Sequence, residues 1–255
     1  MSLLSGDGAT PRVVAETADF AALYKPARMH CAPALKAGTV RPGDETLLEW
    51  YAGIFPAALG LRGKKPGEGG LLHRLDFETR GLVLFAKNQR VLDALLAQQA
   101  SGNFVKEYSA LCREAPPPPS FPPPPEIPRA IENSATESAW PNFSIESFFR
   151  AFGPGRKETR PVTKRAQGAL YRTEVTGASA RAGVVSLRAR LSRGFRHQVR
   201  CHLAWIGWPI LDDPLYGAQG GAKTVANGDA DLMAFRAEAL FFDDPADGAR
   251  LEIRL

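Results

Sequence analysis

The chain has 255 residues, 44% hydrophobic and 23% charged, a globular profile that excludes wholesale disorder and leaves room for a sizeable core. No stretch approaches the roughly 18 apolar residues of a membrane span, and residues 1–11 carry no basic-then-apolar leader. Three widely spaced cysteines, Cys31, Cys112 and Cys201, exclude a CxxC redox or zinc motif and point to a reducing, cytoplasmic setting, while a net charge of +5 leaves an anionic partner open.

Residues 13–24 read as two short strands joined by a turn containing Asp19. Lys25-Pro26 ends the second, because proline lacks the ladder donor and biases its predecessor toward extended geometry. His30-Cys31-Ala32-Pro33 reads as loop. Leu47, Leu48, Trp50, Tyr51 and Ile54 then recur at helical spacing, with Thr46 as cap and Pro56 past the end, which predicts a core-packing helix rather than a base-stacking platform. Residues 62–70 form a basic, Gly-rich loop without the GxxxxGK[ST] pattern of a nucleotide-binding loop.

That loop leads into His73-Arg74-Leu75-Asp76-Phe77-Glu78-Thr79-Arg80-Gly81 and the apolar strand Leu82–Ala86. Taken alone, the string reads as a solvated turn. At the lip of a buried strand, however, a carboxylate three residues after a histidine and two after an arginine can be kept ionised and shielded from water, as a nucleophile or general base requires. Asn88 caps a helix with Val91, Leu92, Leu95 and Leu96 on one face and Gly102 at its close. The next strand, Val105–Leu111, puts Lys106, Tyr108 and Ala110 on one face, as a half-exposed edge strand or a functional face would.

Residues 116–128 contain nine prolines and read as a stiff spacer or surface insertion. The stretch 140–168 is aromatic and basic, with a loop at 153–157. Strands at 169–176 and 183–191 make a hairpin across small residues. Six arginines and no acid fall within 181–200, a pattern suited to a solvated face or to a phosphate backbone. Residues 194–207 have helical period, with Val199, Leu203 and Ile206 facing the core and His197, Arg200 and Ala204 on another face; His197 and His202 read as structural histidines. A turn over 209–217, a loop over 220–228 and a final strand pair over 232–242 and 250–255 complete the chain.

In this order the motifs resemble the RluA-type pseudouridine synthases. The resemblance is carried by Tyr24-Lys25-Pro26, by the HRLDxxTxG-like stretch His73–Gly81, and by Lys106-Glu107-Tyr108-Ser109-Ala110, similar to KxYxA. It continues through His197–Leu203, similar to HQIRxHL, Asp213–Gly217, similar to GDxxYG, and Leu232-Met233-Ala234 with Phe242 and Pro245. It implies an α+β fold, a long mixed, mainly antiparallel sheet with flanking helices and a central catalytic cleft. Residues 1–255 would form one catalytic domain, with 113–165 as a Pro-rich insertion or linker.

The resemblance further implies isomerisation of uridine to pseudouridine in ribosomal or transfer RNA, by a monomer needing neither metal nor organic cofactor. It assigns the catalytic carboxylate to Asp76, the base-stacking ring to Tyr108, the basic partner of the carboxylate to Arg200 and displacement of the base to Arg74. Arg80, Lys106, Arg193, Arg196 and His197 complete the expected RNA contacts. The chemistry agrees: a base that must rotate between N1 and C5 linkages has to leave its stack and be held in a pocket. Two departures stand out, Arg80 in place of serine after Thr79, and Phe195-Arg196 where the family has arginine first. No S4-like domain precedes the match, so RNA grip is expected from the catalytic domain itself. The departures keep a second expectation open, an RNA-binding or ribosome-assembly factor of the same fold with an impaired site. A third is a hydrolase using Asp76 and Glu78 as a carboxylate pair.

Overall fold

The computed structural model describes residues 8–33, 45–134, 137–164, 168–217 and 232–255; the loop expected at 220–228 and most of the N-terminal stretch lie outside the described residues. The chain passes through β1 (Arg12–Glu16), β2 (Phe20–Lys25), α1 (Leu47–Ile54), β3 (Arg80–Ala86), α2 (Gln89–Ser101) and β4 (Val105–Cys112). It continues through β5 (Ile131–Ser134), β6 (Glu137–Ala139), β7 (Phe143–Phe152), β8 (Glu158–Val162), β9 (Tyr171–Arg181) and β10 (Val184–Leu191). Last come α3 (Gln198–Trp205), β11 (Phe235–Asp243) and β12 (Arg250–Arg254). Two compact units result, one from Gly6–Lys106 with Arg236–Leu255 and the other from Glu107–Phe235. Among the described residues no helix is long and apolar enough to cross a membrane.

In the first unit β2 pairs antiparallel with β1 and β3, β3 runs parallel to β11, and β12 closes antiparallel on β11. Every residue of β2 and β3 is buried, which explains their unbroken apolar runs: neither face meets water. Leu82 and Leu84 face Val91, Leu92 and Leu95 of α2, while Phe85 points the other way and meets Tyr51 of α1 at 5.2 Å. Both helices start where their caps predict. Thr46 and Glu49 form a reciprocal capping box, Asn88 accepts from the Val91 amide, and Gly102 ends α2 in the left-handed region. The core face of α1 is Leu47, Leu48, Tyr51 and Ala52; Ile54, expected inside, is 54% exposed because the helix ends there.

Gly81 lies at φ 124° in the β3–β11 pairing, where an added methyl would collide with the Ala237 backbone. Gly81→Ala is expected to cost at least about 3 kcal/mol, read as a lower urea midpoint at unchanged m-value.

In the second unit β9 is the central strand, paired with β10 on one edge and with β6 and β7 in one continuous register on the other. Pro141 interrupts that second edge; the Trp140 amide still donates to Ala178, and Asn142 accepts from the Gly177 amide across the gap. The β9–β10 turn is Ala182-Gly183 at φ 50° and 74°, the left-handed pair of a tight hairpin. β4 is buried along nearly its whole length, so it is not a half-exposed edge strand. The segment expected as an insertion is more structured than its sequence suggests, since 131–162 supplies four strands. The prolines preceding them form a strap: the Trp205 indole donates to Pro122 and Pro123 carbonyls at 2.9 and 3.2 Å, and Arg160 donates to Ser120. All eight residues of α3 are buried, Arg200 and His202 included.

Candidate active site

In the first unit the His73–Gly81 stretch is clamped from one side by the loop after β2. The Leu75 amide donates to Cys31 Sγ at 3.2 Å and the Arg28 amide donates to the Phe77 carbonyl at 2.7 Å. Lys25, at the end of β2 and wholly buried, donates its Nζ to the carbonyls of Pro26 and Met29, both at 2.8 Å, and of Phe77 at 3.4 Å. A turn bond from the Thr79 amide to the Asp76 carbonyl, 3.1 Å, holds the other side. The half-buried Asp76 is thus held in place through its neighbours' backbone. Burial pushes the Lys25 amine down to about 8, against the opposing charges of Cys31, Asp76 and Glu78. A carboxylate in the field of a buried cation can remain an anion while partly withdrawn from water, as a nucleophile or base must.

The other expected residues of this unit divide. Arg74 is exposed over 47% of its side chain and held to Glu68 by a contact of 3.4 Å. Arg80, expected at the surface among the RNA contacts, is instead 3% exposed, because β3 begins two residues earlier than the apolar run and takes Arg80 inside. Lys106 is also buried, at 6% exposure. The His73 ring accepts from the Leu84 amide at 3.4 Å and packs on Phe104, and burial, then Lys106 and Lys64, push it well below the usual histidine range.

In the second unit the Tyr108 ring stacks on Phe235 at 5.0 Å and 10°. Arg200 makes a two-pronged ion pair with Asp213, Nε to Oδ2 and NH2 to Oδ1, each 2.7 Å, both side chains fully buried. Asp213 Oδ1 also accepts from the amides of Leu215 and Tyr216. The six arginines of 181–200 are not six unopposed cations. Arg188 and Arg190 reach the buried Glu107 at 3.8 and 2.6 Å, Arg181 pairs with Glu137, and Arg196 donates to the Arg156 and Glu158 carbonyls. Arg193 is exposed.

His197 precedes α3 at φ 56° instead of lying on its face, with Nδ1 3.1 Å from the Tyr216 hydroxyl, which itself bonds the Thr159 backbone. His202 is structural as expected, set between Ser147 and Thr173 at 2.9 Å each, with burial pushing it down to about 3. Phe195, the departure from the family pattern, stacks on Phe149 at 5.2 Å beside Tyr171.

Sequence reasoning gave no role to Lys25 or Asp213. The signals existed: a lysine ending an otherwise apolar strand, and an arginine inside a helix that is buried all round, each demand partners.

Residues 19–205 match the RNA pseudouridylate synthase family. The chain is 26% identical over 190 residues to the ribosomal large subunit pseudouridine synthase D of Vibrio parahaemolyticus, covering 72% of this chain and 50% of that protein. It is 30% identical over 157 residues to the chloroplastic RNA pseudouridine synthase 2 of Arabidopsis thaliana, covering 62% and 32% respectively. The chain therefore spans half or less of the length of these relatives. Among solved structures, human RNA pseudouridylate synthase domain containing 1 is similar in fold, with TM-score 0.61 over 99% of this chain and 86% of that one at 19% identity. The sheets, the caps and the motifs in their order agree with that match, and the chain belongs to the RluA-type RNA pseudouridylate synthase family.

Proposed function

We propose that the chain isomerises uridine to pseudouridine in RNA with Asp76 as the catalytic carboxylate. The observation that carries this reading is the setting of Asp76 in the family-matched segment: half-buried, held through its neighbours' backbone and in the field of a fully buried lysine. Tyr108 would stack on the displaced uracil, Arg74 would displace it and Arg200 would be the basic residue serving the carboxylate. Exposed Arg193 and Arg196 supply phosphate contacts beside His197, and residues 1–255 act as one catalytic domain and as a monomer. The buried, unbridged cysteines Cys31, Cys112 and Cys201 favour a reducing cytoplasm. Because one relative is named for the large ribosomal subunit, its RNA is the first substrate to test, and transfer RNA the second. Mapping pseudouridines in both RNAs from cells with and without the gene tests the reading; identical maps, with no turnover of either RNA by the purified protein, would overturn it.

Lys25 enters as a positioning residue. Its amine, lowered from 10.5 to about 8, is an ammonium below that pH and neutral above it, so the positive charge near Asp76 disappears as pH rises through 8. Activity is expected to fall on that alkaline limb. Lys25→Met should lower kcat by about tenfold or more, leave RNA affinity unchanged and remove the limb. A limb that persists in the variant assigns the titration elsewhere.

A further inference from the structure

In the first unit, at the start of the stretch that carries Asp76, His73 holds a buried hydrogen-bond donor without an acceptor, in the field of two lysines. Lys106 is 6% exposed, and burial lowers its amine to about 8. The charges that act on this group are cationic: Lys64 depresses it, and it depresses His73 in turn. His73 Nε2 accepts from the Leu84 amide, so the neutral ring carries its proton on Nδ1, and among the described residues that buried nitrogen has no partner. Lys64 is exposed at the rim, where it donates to Gln99 Oε1, while the Gln99 amide donates to the carbonyl of Leu72, next to His73. Among the described residues the carboxylate acting on Lys64 is Glu68, which Arg74 engages.

A buried donor without an acceptor costs stability, and a largely buried charge costs more, so an unpartnered ring N–H in the field of a largely buried ammonium marks a place suited to something that only accepts. We propose that Lys106, Lys64 and the Nδ1–H of His73 form an anion site that takes one backbone phosphate of the substrate RNA. A phosphate supplies what the site lacks, negative charge and several acceptor oxygens, and a rim lined by Lys64 and Arg74 favours its approach. The choice of RNA as the source rests on the proposed reaction; the anion chemistry of the site does not. The site also gives His73 a task in recognition rather than in catalysis.

Lys106→Met tests the proposal, with inorganic phosphate and with RNA as separate probes. Phosphate is expected to raise the Tm of the wild-type protein saturably and to leave that of Lys106→Met unmoved. Without phosphate the variant should itself melt higher, because a buried cation without a counter-charge has been removed; a lysine with a purely structural role would give a lower Tm. With RNA, KM should rise about tenfold and the slope of log K against log salt should become shallower by about 0.7–0.9, the loss of one phosphate contact. Lys64→Gln, at an exposed position that does not threaten the fold, should weaken both responses. Equal stabilisation of wild type and Lys106→Met by phosphate would mean an adventitious ion only. A destabilised Lys106→Met with unchanged salt slope in Lys64→Gln would also overturn the site. A wild-type protein that makes no pseudouridine, yet is stabilised by phosphate through Lys106, would keep the anion site and remove the RNA reaction.

Discussion

Asp76→Asn is expected to reduce pseudouridine formation by at least about 10³-fold while RNA affinity stays within about twofold. The substitution keeps the side chain's shape and removes only the charge and the basicity. The turn survives it, since bonds from backbone amides, to Cys31 and from Lys25 fix the segment. Lys25 still has three carbonyl acceptors in the variant, but it loses one of the charges that hold its proton, and its amine should titrate below 8. What the variant cannot do is attack the base or the sugar, or take a proton, while the N1 link is broken and the C5 link made. The two readouts separate the readings. Undiminished turnover sinks the assignment of Asp76. Release of free uracil by the wild-type protein would point to hydrolysis by the Asp76 and Glu78 carboxylates instead. RNA binding without any pseudouridine from the wild type would favour an assembly factor.

Local chemistry written into the sequence was legible. The caps of α1 and α2 and the burial of Leu82–Ala86 follow from residue types a few positions apart, and the structure has them where such rules put them; the hairpin forms too, but β9 runs on to Arg181 through the small residues expected as its turn, which falls at Ala182-Gly183. The placing of charges was less legible, because a partner distant in sequence decides it. The Arg181–Arg200 run looks like a continuous basic stripe until Glu107, Glu137 and Asp213 are brought to it by folding. Likewise Arg80 looks like surface charge until β3 closes over it. Three of the four strands within 131–162 have only three to five residues, and Pro141 separates β6 from β7, so that pairing with β9, directly for β6 and β7 and through them for β5 and β8, determines them more than their own pattern does. For the candidate site, the motif order singled out Asp76, but its setting came from the carbonyls of Pro26, Met29 and Phe77, and carbonyls leave no mark in a sequence.

Arg200→Met is expected to destabilise the protein by about 3–5 kcal/mol, which for a chain of this size lowers Tm by about 10 °C or more. The guanidinium leaves behind a carboxylate in a site from which water is excluded. Although the Leu215 and Tyr216 amides still donate to Asp213, the charge itself is uncompensated. Arg200→Lys should lose less but still measurably, since an ammonium cannot reproduce two parallel bonds of 2.7 Å from one planar fork. Pairing Arg200→Met with Asp213→Leu should recover part of the loss, because two apolar groups replace a charge pair whose desolvation was never free; the coupling in that cycle measures the ion pair rather than the cavity. The same set separates architecture from catalysis. Assayed well below its Tm, a folded Arg200→Lys protein that keeps kcat would make the pair a structural tie beneath α3. One that folds but loses kcat at unchanged RNA affinity would give Arg200 the role in the reaction that its place in the His197–Leu203 motif suggests. The wild-type protein would then be using one guanidinium twice, to neutralise Asp213 and to serve the chemistry, and neither Arg200→Lys nor Arg200→Met could support both.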